Sequence, residues 1–336
     1  MKDSTQSVSI VVPTFNGASR IGACLNALLQ QESTLTAEIV VVNDGSNDDT
    51  EHLVKSFSGI HLINQANAGP AAARNRGVRE SRGDIIIFTD DDCVPAPDWL
   101  EAMTAPFTDA NIAGVKGIYR TRQKQLIARF IQIEYEDRYR RMARFPSIDF
   151  IDTYSAAFRR KNFLDIGGFD TGFPVACAED AELSYRMSSR KWTMRFAPQA
   201  IVYHTHPANL WQYLKKKYKF AYWRVLATRK NPQKAFRDSH TPQLMKLQML
   251  FPPALLLAMA ADLTKQSRGR NSLAVACLFL GSTLPFAFRA ARKDPMVGLV
   301  SPALLALRAC AQALGVSAGL LHASRNRSRI PAKSAA

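Results

Sequence analysis

The apolar positions of the first ninety residues fall in short runs separated by helical stretches. Residues 8–12 form a β-branched run that stops at Pro13, and further runs follow at 39–42, 61–63 and 85–88. Runs of this length predict buried strands. Between them Ile21, Leu25, Leu28 and Leu29 recur at helical spacing, Leu53 and Phe57 mark a short helix, and Gly69–Pro70 opens another with proline in the tolerated first turn. Alternating strands and helices imply a parallel sheet with right-handed crossovers, which binds ligands at the carboxyl ends of its strands. Asn16 and Gly17 follow the first strand, Asp44 the second, and Asp90, Asp91 and Asp92 a later one. All three polar clusters are therefore expected on one rim, as one candidate site.

Further along, a charged helix is predicted over 122–145, with Leu126, Phe130, Ile133 and Met142 among many arginines, and mixed short elements over 150–204. Beyond residue 247 the pattern changes to three apolar blocks, 247–261, 273–288 and 296–321, with basic connectors. A chain of 336 residues is large enough for one big domain with an appendage, or two domains.

Charge sharpens this division. The formal net charge is +16, which calls for a polyanionic partner. Between Trp211 and Lys246 ten basic residues, Lys234 and Arg237 among them, face the single acid Asp238, and the rings of Trp211, Tyr213, Tyr218, Phe220, Tyr222 and Trp223 interleave with the cations. Such mixing suits single-stranded nucleic acid or an anionic membrane interface. The apolar blocks just downstream favour the membrane, so no nucleic-acid partner is expected. Cys24, Cys93, Cys177, Cys277 and Cys310 are scattered without a CxxC pair, as in a reducing compartment. The first apolar run is too short for a secretory signal, so the catalytic part is expected in the cytoplasm.

Three consecutive carboxylates at a strand end repel one another, and a divalent cation is the usual means of holding them; a solvated acidic loop is the alternative. Glu179 and Asp180 open a predicted helix running to about residue 190, where acids also complement the helix dipole. His204 and His206 follow a strand at 200–203, and alternation predicts both rings on one face. Either offers a metal ligand or a structural histidine. Cys93 is expected only to pack.

In order, VSIVVPTFNG at 8–17, EIVVVNDGSNDDT at 38–50, NAGPAAARNRGV at 67–78 and DIIIFTDDDCVPAPDWL at 84–100, then GGFD at 167–170, AEDAELSYR at 178–186 and the His-x-His at 204–206 resemble the family 2 glycosyltransferases. The resemblance covers roughly residues 8–206. It implies a GT-A fold, an α/β Rossmann-like, mostly parallel sheet flanked by helices, with Asp90–Asp92 as its DXD motif. It further implies that Asp44 reads the nucleotide base, that Pro13, Thr14 and Asn16 line the nucleotide pocket, and that Asp90 lies near ribose and metal with Asp91 beside it. Asp92 is the implied direct ligand of Mn2+ or Mg2+, and a histidine such as His204 completes the shell in some relatives. Asp180, next to Glu179, is implied as the general base. Arg74 offers a phosphate contact, or is an ordinary solvated helix arginine.

The expected activity is inverting transfer of a sugar from a nucleotide sugar, UDP-sugar favoured, to a lipid-linked or glycan acceptor in polysaccharide or glycolipid assembly. A nucleotidyltransferase, or a nonenzymatic lipid- or nucleic-acid-binding protein with a degenerate transferase domain, would share parts of this pattern. The expected organisation is a catalytic domain at 1–206, a basic and aromatic interfacial segment at 207–246, and membrane-associated helices with a basic tail at 247–336, on the cytoplasmic face of the cell membrane. Whether the apolar blocks span is open. The middle one is only about sixteen residues against the roughly twenty a span needs, and Arg308 and Gln312 interrupt the third. In-plane or re-entrant hairpins would keep the basic connectors on one side, and a soluble helical subdomain is the remaining alternative.

Overall fold

The computed structural model describes residues 7–173, 177–232, 238–264 and 267–325. Lys234, Arg237, Lys265 and the basic tail carrying Arg327 and Arg329 lie outside the described residues. The chain forms two compact units. One comprises the residues up to Gln123, Glu134–His206 and Asp238–His240, and the other comprises Lys124–Ile133, the segment after His206 and the chain from Thr241 onward. The helix Leu126–Met142 belongs to both units.

The first unit is built on an eight-stranded sheet of β1 (Val8–Thr14), β2 (Ala37–Asn43), β3 (Ile60–Asn64), β4 (Ile85–Phe88), β5 (Cys93–Pro95), β6 (Ile112–Arg120), β7 (Ala156–Arg159) and β8 (Thr193–His204). Their spatial order is β3-β2-β1-β4-β7-β6-β8-β5. The first four are parallel, as the repeated strand–helix pattern requires, but β7 runs antiparallel between β4 and β6, and β5 runs antiparallel to β8. The sheet is thus mixed, with four parallel and three antiparallel ladders among the described residues. The antiparallel strands are three or four residues long and carry no period that the sequence exposes.

Both faces are covered, which is why the strands read as continuous apolar runs. Along β1, Ile10 and Val12 pack on one face with Ile21, Leu25 and Leu28 of the helix Ile21–Leu29, whereas Val11 packs on the other with Val40, Phe88 and Ala73 of the helix Pro70–Glu80. Complete burial of each such side chain contributes roughly 1.5–3 kcal/mol.

The second unit is helical. Its long helices are Leu210–Lys230, Phe251–Thr264, Arg270–Ala291 and Pro295–Arg325. Pro252 and Pro253 sit in the first turn of their helix, where proline is tolerated. Three stretches, Gln243–Thr264, Arg270–Ala291 and Pro295–Arg325, are long and apolar enough to cross a membrane. The middle one has 22 residues rather than sixteen, because polar residues at its ends belong to the helix without adding to the apolar pattern.

Within this unit the usual arrangement of polar and apolar groups is inverted. Arg308 is buried and its Nη2 donates to Gln248 Oε1 at 2.5 Å, while Gln248 Nε2 donates to Ser282. The arginine that seemed out of place in an apolar block therefore has a partner. By contrast Leu257, Leu263 and Leu278 are 73%, 88% and 67% exposed. Gly315 and Gly319 let Pro295–Arg325 approach Leu210–Lys230 closely, since a Cβ at Gly315 would lie 2.4 Å from the Tyr218 carbonyl oxygen.

Candidate active site

The rim at the carboxyl ends of β1, β2 and β4 collects the predicted polar residues. At the end of β1, Thr14 Oγ1 donates to Asp91 Oδ2 at 2.6 Å, and Arg20 grips the same carboxylate through Nε at 2.8 Å and Nη2 at 3.0 Å. Gly17 is required there: a Cβ would come 2.3 Å from Thr14 Oγ1 and 2.5 Å from Asp91 Oδ2. Asp91 is buried, and burial holds its carboxyl above the ordinary range although Arg20 and Thr14 act against this. The middle acid of the run thus fastens the end of β1 to the loop after β4. Pro13 is buried in β1, and Asn16, with φ 49°, accepts from the Asn47 amide at 2.8 Å.

Asp44, just past β2, is also committed within the protein. Its carboxylate accepts from Gln65 Nε2 at 2.7 Å and from the amides of Ala68 and Gly69 at 2.9 Å each. These bonds shape the loop leading into Pro70–Glu80.

Arg74 is not a solvated helix arginine but is buried at the rim. Its side chain is 3% exposed, with Nη2 2.7 Å from Asp90 Oδ1 and Nη1 2.9 Å from Glu179 Oε1. One guanidinium therefore ties the acidic run after β4 to the start of the helix Glu179–Ser189. Asp90 spends one carboxylate oxygen on this bond. Glu179, expected beside the base, is buried and held by Arg74, and its Oε2 has no hydrogen-bond partner. Burial first, and then the neighbouring Asp180, push its carboxyl up to about 7, with Arg74 opposing. Asp180 is only partly buried, with Oδ1 accepting from the Ala181 amide at 2.7 Å.

On the far side of the run, Asp92 Oδ1 lies 3.3 Å from His204 Nδ1. The antiparallel pairing of Cys93 with His204 in the β5–β8 ladder sets this distance. The His204 ring stacks on Tyr119 at 4.6 Å, and its buried Nε2 has no hydrogen-bond partner, so no acceptor on that side fixes the ring in a competing role. A carboxylate oxygen and an imidazole nitrogen at this separation fit one divalent ion. His206 is placed differently: its ring stacks on Tyr135 at 5.6 Å and its backbone bonds to Gln123.

Sequence reasoning missed Lys116. It is fully buried on β6, pairs with Asp152 and donates to the Tyr154 hydroxyl at 2.7 Å, which in turn bonds the Tyr139 hydroxyl at 2.9 Å. Burial holds its ammonium well below the ordinary lysine range. The signal was present as a lysine inside the apolar strand run 112–119, where a buried charge demands a partner.

Residues 9–167 match the family model described as Glycosyl transferase family 2. Glycosyltransferase AglE of Haloferax volcanii is 34% identical over 123 residues, which cover 35% of this chain and 40% of that protein. An N-acetylglucosaminyltransferase of Rhizobium sp. is 26% identical over 309 residues, 84% of this chain and 65% of that protein. The chain therefore spans less than two thirds of either relative. Among solved structures, a mannosyltransferase from Pyrobaculum calidifontis, in complex with GDP-mannose and Mn2+, superposes with a TM-score of 0.63 over 94% of this chain and 88% of that one, at 19% identity. That likeness is one of fold. Together with the motif order along the rim, the family match identifies residues 9–167 as a glycosyl transferase family 2 domain.

Proposed function

We propose that the chain is an inverting, metal-dependent glycosyltransferase that moves a sugar from a nucleoside-diphosphate sugar to a hydroxyl group. The observation that carries this reading is the Asp90–Arg74–Glu179 connection. It brings the acidic run and the acidic helix start, far apart in sequence, into one site with the Asp92–His204 pair. The relatives' names and the mannosyltransferase's bound GDP-mannose and Mn2+ support the same class of reaction.

Each residue then has a part. Asp92 and His204 would hold a divalent ion, which would supply positive charge to the diphosphate. Asp180 takes the proton from the acceptor hydroxyl as its oxygen attacks the anomeric carbon and the nucleoside diphosphate departs. Glu179 and Arg74 are positioning residues: they fix the helix start from which Asp180 projects. Asp44 and Asn16 shape the loops around the base. One base suffices because the leaving diphosphate needs no proton, and a single displacement inverts the anomeric centre.

The acceptor reading rests on the second unit. Three helices of spanning length with outward-facing leucines support a membrane-bound enzyme, and the basic residues around them favour its cytoplasmic face. A lipid-linked or membrane-proximal glycan is the acceptor such an enzyme meets. The test is a screen of UDP-, GDP- and dTDP-sugars with membrane extract as acceptor and Mn2+ or Mg2+ present. Release of nucleoside diphosphate is expected, with UDP-sugars the first candidates. Release of sugar 1-phosphate would instead identify transfer of the nucleotidyl group.

A further inference from the structure

Cys93 packs into the core as expected, and its sulfur also sits beside two candidate ligands. Its Sγ lies 3.6 Å from Asp92 Oδ1 and 4.0 Å from His204 Nδ1, and those two atoms are 3.3 Å apart. Carboxylate oxygen, thiol sulfur and imidazole nitrogen thus form a triangle whose corners all lie within 4.8 Å of one another. A tetrahedral ion with metal–oxygen and metal–nitrogen bonds of about 2.1 Å and a metal–sulfur bond of about 2.3 Å has ligand–ligand edges of roughly 3.4 Å and 3.6 Å. Two of the three observed edges match within about 0.1 Å, and the sulfur–nitrogen edge needs to shorten by about 0.4 Å.

The placement follows from the backbone. Cys93 is the first residue of β5 and pairs with His204, the last of β8, and Asp92 immediately precedes it. The His204 side chain is 8% exposed, with an unpartnered Nε2, whereas Asp92 is 39% exposed and open to solvent on its outer side. Three protein ligands with access from one side are the pattern of catalytic rather than closed structural sites.

We propose that Cys93 is a third protein ligand of the divalent ion, so that an Asp92–Cys93–His204 set selects a sulfur-tolerant ion such as Zn2+ or Co2+ over Mg2+. This rests on the reading of Asp92 and His204 as the residues that hold the ion. On binding, the thiol gives its proton to solvent and the sulfur enters as thiolate. Mg2+ prefers six oxygen ligands and keeps several waters, so it gains little from sulfur, whereas thiolate strengthens binding of the later first-row ions. The remaining position stays available to a diphosphate oxygen.

Co2+ titration of the full-length protein in detergent tests this by absorption, with Mn2+ binding followed in parallel by electron paramagnetic resonance. The wild type is expected to develop a near-ultraviolet thiolate-to-cobalt band with the intensity of one thiolate. C93S is expected to lose that band and to bind Co2+ at least about tenfold more weakly, while keeping most of its Mn2+ affinity. D92A is expected to lose both signals. If the wild type binds Mn2+ but gives no band with Co2+, Cys93 is not a ligand although the ion site stands. If the band persists in C93S, the sulfur comes from another cysteine and the proposal fails. Absence of binding by either ion overturns the ion site itself and the proposal with it.

Discussion

The sheet rim and the C-terminal helices handle charge in opposite ways. In the rim, buried charges are answered by other charges: Arg74 by Asp90 and Glu179, Asp91 by Arg20, and Lys116 by Asp152. Apolar side chains lie beneath them in two covered layers. In the C-terminal helices the polar groups are inside, with Arg308 on Gln248, and leucines face outward. The outward leucines of the helices suggest membrane association, whereas the charged rim suits water. One chain thus carries two solvents' worth of folding rules, and substitutions should respond differently in each.

The largest expected effect is on chemistry. Asp180→Asn removes the proposed base without removing its backbone contacts, so kcat should fall by about 10²–10⁴-fold. The KM for donor and the unfolding midpoint should hardly move. Steady-state kinetics at saturating donor check this, and an unchanged kcat would break the assignment. Next comes Arg74→Met, which leaves Glu179 and Asp90 without their cation. Loss of one partner from a buried ionic cluster costs about 3–5 kcal/mol, readable as a lower denaturation midpoint in detergent.

The helices offer the complementary test. Leu278 lies near the middle of Arg270–Ala291 and faces outward. If lipid surrounds it, Leu278→Lys should disfavour insertion by about 2.5–3.5 kcal/mol. On a water-facing helix the same change would stay within about 0.5 kcal/mol. Quantitative insertion assays on the full chain distinguish the two.

A pH series gives the smallest expected effect. The Glu179 carboxyl is pushed up to about 7 by burial, above its ordinary value of 4.5. A raised folded-state value means the contribution to stability is complete below the ordinary value and is lost as pH rises through 7. Stability should therefore decline between about pH 5 and pH 8, by up to roughly 3 kcal/mol. Glu179→Gln should flatten that slope. A variant as pH-sensitive as the wild type would show that another group is responsible.

Much of the rim was legible because its signals are local. The runs at 8–12, 39–42 and 85–88 are strands, the Gly69–Pro70 start is a helix start, and the acids follow strand ends. What sequence could not supply is pairing across distance. Arg74 and Glu179 are 105 positions apart, and nothing in either neighbourhood names the other. The nearness of Cys93 to His204 depends on an antiparallel ladder in which β5 is only three residues long and shows no period in the sequence. The middle apolar helix looked too short to span because Arg270, Asn271 and Arg289 extend it without adding to its apolar pattern.

We propose that the rim carries out direct displacement at a nucleotide sugar. The measurement closest to that claim is the anomeric configuration of the product, read from its anomeric proton coupling by NMR after reaction with a donor of known configuration. Single displacement with Asp180 as base predicts a glycosidic linkage of opposite configuration to the donor's. A product that retains the donor's configuration would contradict it.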